Sequence, residues 1–583
     1  MDYTWKIKAY SEAEQQLAEQ LATELRISVP AARLLTSRGI QTASEAKTYI
    51  RPSLSQLHDP FLMRDMDKAV ERITQALARH ERILVYGDYD VDGTTAVALM
   101  YTYLSSVVAD ESLLNYYIPD RYTEGYGISF RGIDYAAESG YSLVIALDCG
   151  IKAIDKVEYA SGKGIDFVIC DHHTPGDEIP KAVAVLNMKR ADCPYPYKHL
   201  SGCGVGFKLV QALMSRHLPA TKVVTIEQLL PLLAMSIASD VVPMTGENRV
   251  LEYYGLKSIN AAPSVGIKAI MQVAGLEQGH VTVNDLLFRF GPRINACGRL
   301  YSGYEAVKLL ISEDEVFAAE QAKNVDSFNT ERKDYDNQTT EEALALLRQD
   351  PDNEQRFTTV VYAPHWHKGV VGISASRLTE TYYRPTIVLT SSDTNTTLTD
   401  TIISGSARSV GGFDIYAAID SCRDLLTNFG GHQFAAGISL RLQDLPEFRR
   451  RFELYVSEHI LDHQRQPTIS IDQEIAFEDI TPKFFSVLRH LEPFGPDNER
   501  PVFLTRNVIN NRYTKRVGKT GEHLRLDVTD HTAAITGIAF GKGDMALYMQ
   551  NGKAVDVCYE LDENTYNNQT SIQMMVSDIK NHV

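Results

Sequence analysis

Three side chains that can bind a metal, Asp171, His172 and His173, directly follow an apolar run in the segment VICDHHTPG (168–176). An aspartate in this place can cap the next turn, and a histidine can be hydrogen-bonded within a core. Carboxylate and imidazole groups together are also ligands for divalent cations. These three residues alone leave both interpretations open, and the other acidic clusters of the chain decide between them.

A second cluster, Asp88, Asp90 and Asp92 in GDYDVDG (87–93), follows the apolar run ILVYG. Three carboxylates at alternate positions repel one another unless a cation neutralises them, and a continued strand would place all three on one side. A solvated acidic turn is the alternative. An EF-hand loop is excluded, because glycine follows the third aspartate at once and a helical pattern begins without the closing glutamate.

Two further aspartates follow apolar stretches: Asp148 ends LVIAL and Asp240 follows MSIAS. In an open α/β sheet, ligands bind beyond the carboxyl ends of the strands, so we expect all four clusters at strand ends on one edge. Carboxylates with imidazole and without thiolate suit Mg²⁺ or Mn²⁺, and the imidazole favours Mn²⁺. Such a site is what two-metal phosphoryl hydrolysis requires, in which one ion activates water and the other stabilises the leaving oxygen.

Hydrophobic periodicity predicts the elements that position these residues. From about 80 to 250, short β-branched runs alternate with helical patterns, which indicates a parallel sheet wrapped by helices. Residues 313–349 contain few helix breakers and predict a long, mostly solvated helix. A second α/β pattern runs from 357 to about 455, and the short alternating strands after 472 predict a small β-barrel.

Bulk properties limit the class of protein. The 583 residues are too many for one core, and 44% hydrophobic with 23% charged residues is typical of a soluble globular protein. A net charge of −17 argues against a nucleic-acid coat protein but is compatible with a local basic groove. The sequence shows no apolar run of ~20 residues, no signal pattern and no CxxC pair among its seven cysteines. We therefore expect a cytoplasmic protein with reduced thiols and no membrane contact.

The four clusters GDYDVDG, ALDCG, CDHH and ASDVVP resemble the ordered motifs of the DHH phosphoesterase superfamily. Further segments are similar to segments of the RecJ family of single-strand-specific 5′→3′ exonucleases, and they follow in order from about residue 50 to the end. These are PDRYTEGYG (119–127), MKRADCPYPYKHLSGCGVGFK (188–208), FGPRINACGRL (290–300), GVVGISASRL (369–378), SGSARSVGGFDIY (404–416) and FGGHQFAAG (429–437). Some superfamily pyrophosphatases have a ligand histidine where this chain has Tyr86, which argues against that activity.

The resemblance implies a role for each site residue. The metal ligands would be Asp90, Asp92, Asp148, His172 and Asp240. Asp88 and Asp171 would be close supports in the catalytic group, and His173 would face the scissile phosphate. The substrate phosphate would be held by Arg121, Arg299, Ser406, Arg408, Gly430, Gly431 and His432. The alternatives are surface ion pairs for the arginines and a tight turn before a packed helix for the glycines, and Tyr122 and Tyr126 either stack bases or pack in the core.

Near the C-terminus the acidic character is locally reversed. Residues 506–525 contain six Lys or Arg and one acid, Glu522, which gives a net charge of +5 with Tyr513 inside the segment. Basic and aromatic residues on an OB-like barrel are typical of a track for single-stranded nucleic acid, for which the candidates are Arg512, Lys515, Arg516 and Lys519. A solvated hairpin tip is the alternative.

These observations combine into one prediction of a multidomain α/β protein. Its parts are an N-terminal helical segment (1–55), a parallel-sheet DHH phosphoesterase domain (56–310), a connecting helix (311–350), a DHH-associated α/β domain (351–460) and an OB-like nucleic-acid-binding barrel (465–583). The resemblance implies a monomeric exonuclease with two Mn²⁺ or Mg²⁺ ions that degrades single-stranded DNA 5′→3′ to mononucleotides. Its setting would be recombination and repair, with a single-strand-binding protein and a helicase as further partners.

Two rival hypotheses belong to other functional classes. One is a DHH-type phosphodiesterase acting on cyclic dinucleotides or short oligonucleotides. Such relatives typically end after the second domain, so the basic C-terminal segment argues against it. The other is a non-catalytic DNA-binding scaffold, as among replication-helicase relatives of the superfamily. Such scaffolds have lost metal-site residues, whereas every motif carboxylate is present here.

Overall fold

The computed structural model describes residues 3–391, 401–566 and 569–582. The chain divides into two compact units. One unit joins the two ends of the chain, Met1–Gln56 and Thr468–Val583, with the short segment Pro243–Thr245, and the other contains Leu57–Val242 and Gly246–Pro467. Among the described helices, none has the length and apolar character needed to cross a lipid bilayer.

The N-terminal region contains one strand and three helices, β1 (Thr4–Ile7), α1 (Glu12–Leu25), α2 (Val29–Thr36) and α3 (Ala43–Ile50). Capping boxes of Ser11 with Glu14 and of Thr42 with Glu45 fix the starts of α1 and α3. Strand β1 pairs in parallel with Thr468–Ile471, and Leu34 lies in one apolar cluster with barrel residues. The described part of the predicted N-terminal helical segment (1–55) therefore shares a core with the C-terminal barrel.

A five-stranded parallel sheet forms the centre of the second unit. Its strands are β2 (Ile83–Gly87), β3 (Leu114–Tyr117), β4 (Leu143–Leu147), β5 (Asp166–Cys170) and β6 (Ala184–Leu186), in the order β3-β2-β4-β5-β6. The surrounding helices are α4 (Met66–Ala78), α5 (Val91–Val107), α6 (Phe130–Glu138), α7 (Ile154–Gly162), α8 (Gly202–Met214), α9 (Ile226–Ser239), α10 (Gly246–Ala261), α11 (Val265–Ala274), α12 (Val283–Asp285), α13 (Gly291–Leu300) and α14 (Gly303–Leu310), with a π-helical turn at Leu286–Phe290 before α13. Every residue of β2 and β4 is buried, because helices cover both faces of the sheet.

The long helix α15 (Glu315–Gln349) has the predicted position, and with 11 of its 35 residues buried it is mostly solvated, as expected. It contacts α11, α13 and the following α16, so one stripe along its length is buried. This stripe is partly polar, which hid it from hydrophobic periodicity. Asp336, for example, is fully buried, accepts a hydrogen bond from Ser374 Oγ and is paired with Arg377.

The second α/β region follows α15. Its elements are β7 (Thr359–Tyr362), α16 (Val371–Tyr382), β8 (Thr386–Ser391), β9 (Ile402–Arg408), α17 (Ile415–Asp420), β10 (Leu426–His432), β11 (Ala435–Arg441) and α18 (Leu445–His459). The sheet order is β10-β11-β9-β8-β7, in which β7 and β8 are parallel and the other neighbours are antiparallel. Separate apolar clusters pack on its two faces, one with α17 and α18 and the other with α15 and α16.

The C-terminal region is a closed barrel, as predicted. Its elements are β12 (Thr468–Ile471), β13 (Gln473–Glu474), α19 (Pro482–Leu491), β14 (Phe503–Asn510), β15 (Lys515–Val517), β16 (His523–Thr529), β17 (Ala534–Ala539), α20 (Met545–Gln550), β18 (Val555–Tyr566) and β19 (Gln569–Asn581). Strand β14 pairs with β18 at one end and with β16 at the other, which closes the ring β14-β18-β19-β17-β16. A five-stranded closed barrel is the OB-like architecture, so the predicted fold class is confirmed.

Candidate metal centre and anion cavity

The register of the parallel sheet brings three aspartates side by side. Gly87 is paired with Leu147, and Leu147 with Cys170, at the carboxyl ends of β2, β4 and β5. Asp88, Asp148 and Asp171 each follow one residue later, and all three are buried. The structure therefore brings these residues together at the sheet edge where the sequence places them.

Three other aspartates reach the same place by a different route. The strand ends at Gly87, so Asp90 caps α5, where its Oδ1 accepts the Gly93 N–H at 3.0 Å, and Asp92 lies in the first turn of that helix. Asp240 follows the buried helix α9, not a strand. The expectations of one continued strand for the first cluster and of a strand before Asp240 are wrong, because periodicity does not separate a buried strand from a buried helix.

His172 lies at the meeting point of the carboxylates. Its Nε2 is 3.3 Å from Asp148 Oδ1, 3.6 Å from Asp240 Oδ2 and 3.8 Å from Asp92 Oδ2. Two sets of ligand atoms lie within 4.8 Å of one another, namely Asp148 with His172 and His173, and Asp92 with His172 and Asp240. Burial lowers the pKa of His172, which favours the neutral imidazole that binds metals. Asp90 belongs to neither set.

Like charges raise the pKa of several carboxyl groups in this cluster. Burial and the charges of Asp92 and Asp90 raise the pKa of Asp148, and the same causes raise that of Asp240 to about 9. Asp88 has a raised pKa from burial and from the charge of Asp90, and neither of its carboxylate oxygens has a hydrogen-bond partner among the described residues. Unneutralised acids with free oxygens fit the binding of hard divalent cations.

Asp171 differs from its neighbours because its charge is satisfied. It accepts the Ile151 N–H at 2.8 Å, the His173 N–H at 3.0 Å and a contact of 2.8 Å from His173 Nδ1. Burial alone would raise the pKa of Asp171, but the bonds with His173 outweigh burial and lower it. The pKa of His173 is raised, since its bond to Asp171 outweighs its own burial. Asp171 thus fixes the ring of His173 rather than offering a free ligand.

Several groups that hold the cluster together were not predicted from the sequence. The two oxygens of Asp92 accept the N–H groups of Gly202 at 2.7 Å and Cys203 at 2.8 Å and the Ser236 hydroxyl at 2.7 Å. A methyl group on Gly202 would overlap the Asp148 carboxylate, so only glycine fits there. The glycines of SGCGVGFK were the available signal for this close approach.

Tyr126 is a further site residue, and the alternative that it packs in the core is wrong. Its hydroxyl is 3.1 Å from His173 Nε2 and 3.1 Å from the Asp148 carbonyl oxygen, to which it donates. The ring is 53% exposed, so it stands at the mouth of the cluster. Nothing in the sequence alone distinguishes this tyrosine from Tyr122 in the same motif.

A cavity of about 450 Å³ in the same unit gathers most of the predicted phosphate-binding residues. Its lining includes Arg121, Tyr122, Arg299, Lys368, Gly369, Gly372, Ser406, Arg408 and Gly430. No acidic side chain occurs among the described residues that line it. The cavity therefore offers an electropositive site for an anion. Lys368 was not predicted.

The arginines of this cavity are crowded and partly desolvated. Burial and the charges of Arg121 and Arg408 contribute to lowering the pKa of Arg299 to about 10, and its Nη1 donates to the Gly369 carbonyl at 3.1 Å. Arg408 Nη1 donates to Ser406 Oγ at 2.6 Å, and burial lowers the pKa of Arg408. Tyr122 donates to the Arg299 carbonyl. A bound anion would relieve this repulsion between cations.

The segment FGGH forms part of an antiparallel hairpin between β10 and β11, so the alternative of a tight turn before a helix is wrong. Gly430 lines the anion cavity, whereas exposed Gly431 and His432 are not among its lining residues. Gly431 has φ of +149°, and a methyl group there would overlap the Ala435 carbonyl of the partner strand. The hairpin itself thus requires this glycine.

In the barrel unit, Arg512, Lys515, Arg516 and Lys519 are all exposed, and the Tyr513 ring is 71% exposed. They lie on or beside β15, which forms a hairpin with β16. Arg506 differs, because it is bound to Glu474 and Asp556 at 3.0 Å each. One of the six basic residues is therefore neutralised, and the four predicted track residues form a solvated basic surface.

Comparison with known proteins identifies the family. Family models match the DHH family N-terminal domain at 82–237, the DHHA1 domain at 355–458 and the RecJ OB domain at 471–578. The chain is 33% identical to the single-stranded-DNA-specific exonuclease RecJ of Bacillus subtilis (strain 168), over 98% of this chain and 70% of that protein. The chain belongs to the RecJ family. RecJ of Dickeya dadantii (strain 3937) is also 33% identical, over 99% of this chain and 100% of its own length.

Solved RecJ structures agree with this assignment. RecJ from Thermus thermophilus in complex with Mn²⁺ has a TM-score of 0.81 and 26% identity, covering 99% of this chain and 79% of that one. The same protein in complex with Mg²⁺ has a TM-score of 0.76 and 25% identity, covering 99% of this chain and 78% of that one. These are the two metals predicted here from the ligand types.

Proposed function

We propose that this RecJ-family protein is a metal-dependent exonuclease that degrades single-stranded DNA from its 5′ end to mononucleotides. The observation that carries the proposal is the position of Arg121 between two sites of opposite charge. Arg121 lines the anion cavity, and its guanidinium lies 5.0 Å from the centre of the ring of Tyr89, the residue between Asp88 and Asp90. Burial and like charges raise the pKa of Asp88 and Asp90, and the charge of Arg121 partly opposes this rise. A metal centre beside an anion cavity fits an enzyme that holds one phosphate while it hydrolyses another.

The carboxylate cluster and His173 would provide the chemistry. Asp92, Asp148, Asp240 and His172 would hold two Mn²⁺ or Mg²⁺ ions, with Asp90 as a further ligand. Such ions supply an activated water and stabilise the leaving oxygen. Asp171 would keep His173 oriented through Nδ1, so that Nε2 faces the mouth of the cluster, where it would contact the scissile phosphate. The Tyr126 hydroxyl, 3.1 Å from the same Nε2, would hold the imidazole in place until the phosphate contacts it.

The anion cavity would set the direction of cleavage. Metal ions accept any phosphodiester placed beside them, so polarity requires a group that recognises the end of the strand. A terminal phosphate carries more charge than an internal diester and would match Arg121, Arg299 and Arg408. Ser406 Oγ already accepts a bond from Arg408, which leaves its own proton to donate to a phosphate oxygen.

The same proposal includes the substrate, the location and the partners of the enzyme. The substrate would be single-stranded DNA with a 5′ end, and the exposed basic surface beside β15 would hold its more distant part. We infer a monomeric cytoplasmic enzyme of recombination and repair that works with a single-strand-binding protein and a helicase. The barrel favours this substrate over the short oligonucleotides or cyclic dinucleotides of the rival hypothesis.

Strands labelled at either end test the polarity directly. With Mn²⁺ present, a 5′ label should be released as a mononucleotide at once, whereas a 3′ label should pass through a ladder of shortening products. Immediate release of the 3′ label would contradict the proposed direction. Loss of metal by chelation should stop both reactions.

Arg408→Ala tests recognition of the terminus. A charge-assisted bond contributes roughly 1.5–3 kcal/mol, so the variant should bind a 5′-phosphorylated strand on the order of 10- to 100-fold more weakly. A 5′-hydroxyl strand should be affected much less. Arg423→Ala is the matched control, since Arg423 is an exposed arginine of the same domain in an ion pair with Asp420. An unchanged ratio between the two substrates in Arg408→Ala would show that the terminus is recognised elsewhere.

A further inference from the structure

A second cavity, of about 370 Å³, lies along β7, the edge strand of the second sheet. It is lined by Val360, Val361 and Tyr362 of β7, by Leu346 and Leu347 of α15, and by Leu445 and Arg449 of α18. Within the described residues, no strand pairs with β7 on the side away from β8. The cavity, called the β7 groove below, therefore runs along an open sheet edge between two helices.

The backbone of β7 has unused hydrogen-bonding groups in this groove. The N–H groups of Thr359 and Ala363 donate to the carbonyls of Pro385 and Leu389 beside and within β8. Because alternate residues direct their peptide groups to opposite sides of a strand, those of Val360 and Tyr362 point away from β8. An open edge of this kind is a template for an added strand.

Charge in the groove is unbalanced. Arg356 is paired with Asp350 at 2.9 Å, and Glu453 accepts the Phe357 N–H at 2.8 Å. Asp350 and Arg356 also line the groove, whereas the exposed Arg449 has neither a hydrogen-bond nor an ion-pair partner among the described residues. Partial desolvation and the charge of Arg356 lower the pKa of Arg449, and the more distant charge of Asp350 only partly opposes this. A partner with a carboxylate would neutralise this guanidinium.

We propose that the β7 groove binds an extended segment of a partner protein, which adds as a strand to β7 and pairs an acidic side chain with Arg449. The apolar lining and the free peptide groups match a polypeptide, whereas a nucleic acid would match only the charge. Val361 packs on the α15 side of the sheet, and Val360 and Tyr362 pack on the α18 side. The segment would therefore alternate, with apolar side chains toward Leu346 and Leu347 and an acidic side chain toward Arg449.

This groove is separate from the proposed exonuclease machinery. Ser406 and Arg408 lie on β9, and β8 stands between β9 and β7 in the sheet. The inference rests on the geometry of the sheet edge and does not depend on the proposed function. Variants in the groove should leave the hydrolysis of short single strands unchanged.

A displayed library of random ten-residue peptides, selected on the full-length protein, provides the probe. We expect enriched peptides to alternate apolar and acidic residues, and to slow amide hydrogen exchange at Val360 and Tyr362. N-methylation of alternate amides in a selected peptide should abolish binding, because the added strand needs those donors. Failure to enrich any peptide, or protection of a different region, would overturn the proposal.

Arg449→Glu, with Arg450→Glu as the control, tests the charge. Arg450 lies on the same helix but is paired with Glu447, so the substitution there changes the charge equally without entering the groove. Arg449→Glu should weaken binding of the selected peptide about 10- to 100-fold, and Arg450→Glu should not. Equal effects of the two variants, or displacement of the peptide by a single-stranded oligonucleotide, would overturn the proposal in favour of general electrostatic binding.

Discussion

Asp148 combines a left-handed backbone conformation, with φ of 58°, and a buried carboxylate whose pKa is raised by burial and by neighbouring charges. Strain and like-charge repulsion at one residue are typical of sites where function opposes stability. The amide in Asp148→Asn would keep the shape of the side chain and remove its charge. This variant therefore removes the charge repulsion and keeps the backbone strain.

We expect Asp148→Asn to abolish hydrolysis while raising the thermal midpoint of the metal-free protein by a few degrees. A raised pKa means that the folded state binds the proton more tightly than the unfolded state, so metal-free wild type loses stability as pH rises above about 4. The gain in thermal midpoint of Asp148→Asn over the metal-free wild type should therefore be small at pH 4 and large at pH 8. Melting curves in chelator and in Mn²⁺ measure it, with exposed Asp177→Asn as the control.

Near-wild-type turnover of Asp148→Asn at saturating Mn²⁺ would refute the ligand assignment. His172→Ala should also abolish hydrolysis, because it removes the imidazole that lies within 3.8 Å of three of the carboxylates. Neither variant should lose its fold, since Asp92 retains its bonds to Gly202, Cys203 and Ser236.

Tyr126→Phe tests the positioning of His173. Loss of the hydroxyl removes a contact of 3.1 Å to Nε2 and leaves the bond from Asp171 to Nδ1, so the imidazole should remain in place but less restrained. We expect kcat to fall about 3- to 30-fold with little change in KM, since one hydrogen bond contributes about 1 kcal/mol or somewhat more. A change in KM alone would indicate that Tyr126 contacts the DNA instead.

At this scale, the sequence predicted acidic residues and histidines that the structure brings together, because residue type and position at a strand end are local properties. It could not predict the contacts of Ser236 or Tyr126, because their partners come from segments distant in the chain. His432 shows the same limit. The resemblance implied that it holds the substrate phosphate, but it is not among the residues that line the anion cavity.

Among the elements, strand β15 and its flanking turns carry the exposed basic surface. Removing the whole barrel would test it poorly, because residues 3–56 would lose the core they share with the barrel. The triple variant Lys515→Ala, Arg516→Ala, Lys519→Ala leaves that core intact. Each lost phosphate contact should reduce the slope of log affinity against log salt by roughly 0.7, so the slope should fall by about 2.

The matched control for this variant is Lys6→Ala, Lys8→Ala, Lys47→Ala, which removes three exposed lysines from the same unit. Filter binding of a long single strand at several salt concentrations gives both slopes. Equal slopes for the two variants would show that β15 does not hold the DNA. Cleavage of very short strands should be unaffected in either case.

Elements were predictable where the pattern was long or strongly β-branched, as for β2, β4 and α15. The helix before Asp240 was mistaken for a strand, because LLPLLAMSIAS is apolar on every side and carries no period. The buried stripe of α15 was not predicted for the opposite reason, since it includes the polar residues Asn329, Arg332 and Asp336. In both cases tertiary contact, not local preference, decided the environment.

On the scale of the whole molecule, the two ends of the chain build one unit around a common core. Leu34 of α2 is fully buried in that core with residues of the barrel strands. Leu34→Ala should therefore lower the free energy of unfolding of this unit by roughly 2–5 kcal/mol. Amide hydrogen exchange in β16 and β17 should accelerate, although these strands lie about 490 to 505 residues away in sequence.

Leu547→Ala in the same unit is the control, because that side chain is 63% exposed and its loss should change exchange little. If Leu34→Ala left exchange in β16 and β17 unchanged, the N-terminal helices would not support the barrel. No local pattern in the chain indicated this pairing. A parallel bridge between Thr4–Ile7 and Thr468–Ile471 depends on residues at opposite ends of the chain.

The pairing of the chain ends has a consequence for synthesis on the ribosome. The apolar faces of α2 and α3 emerge early, but their partners in the barrel follow only after residues 57–467 have been made. At about 5–20 residues per second, this interval lasts roughly 20 to 80 s. During that time the intervening unit can fold by itself while α2 and α3 expose surface that a chaperone would recognise, so their unit closes only after the barrel strands have been made.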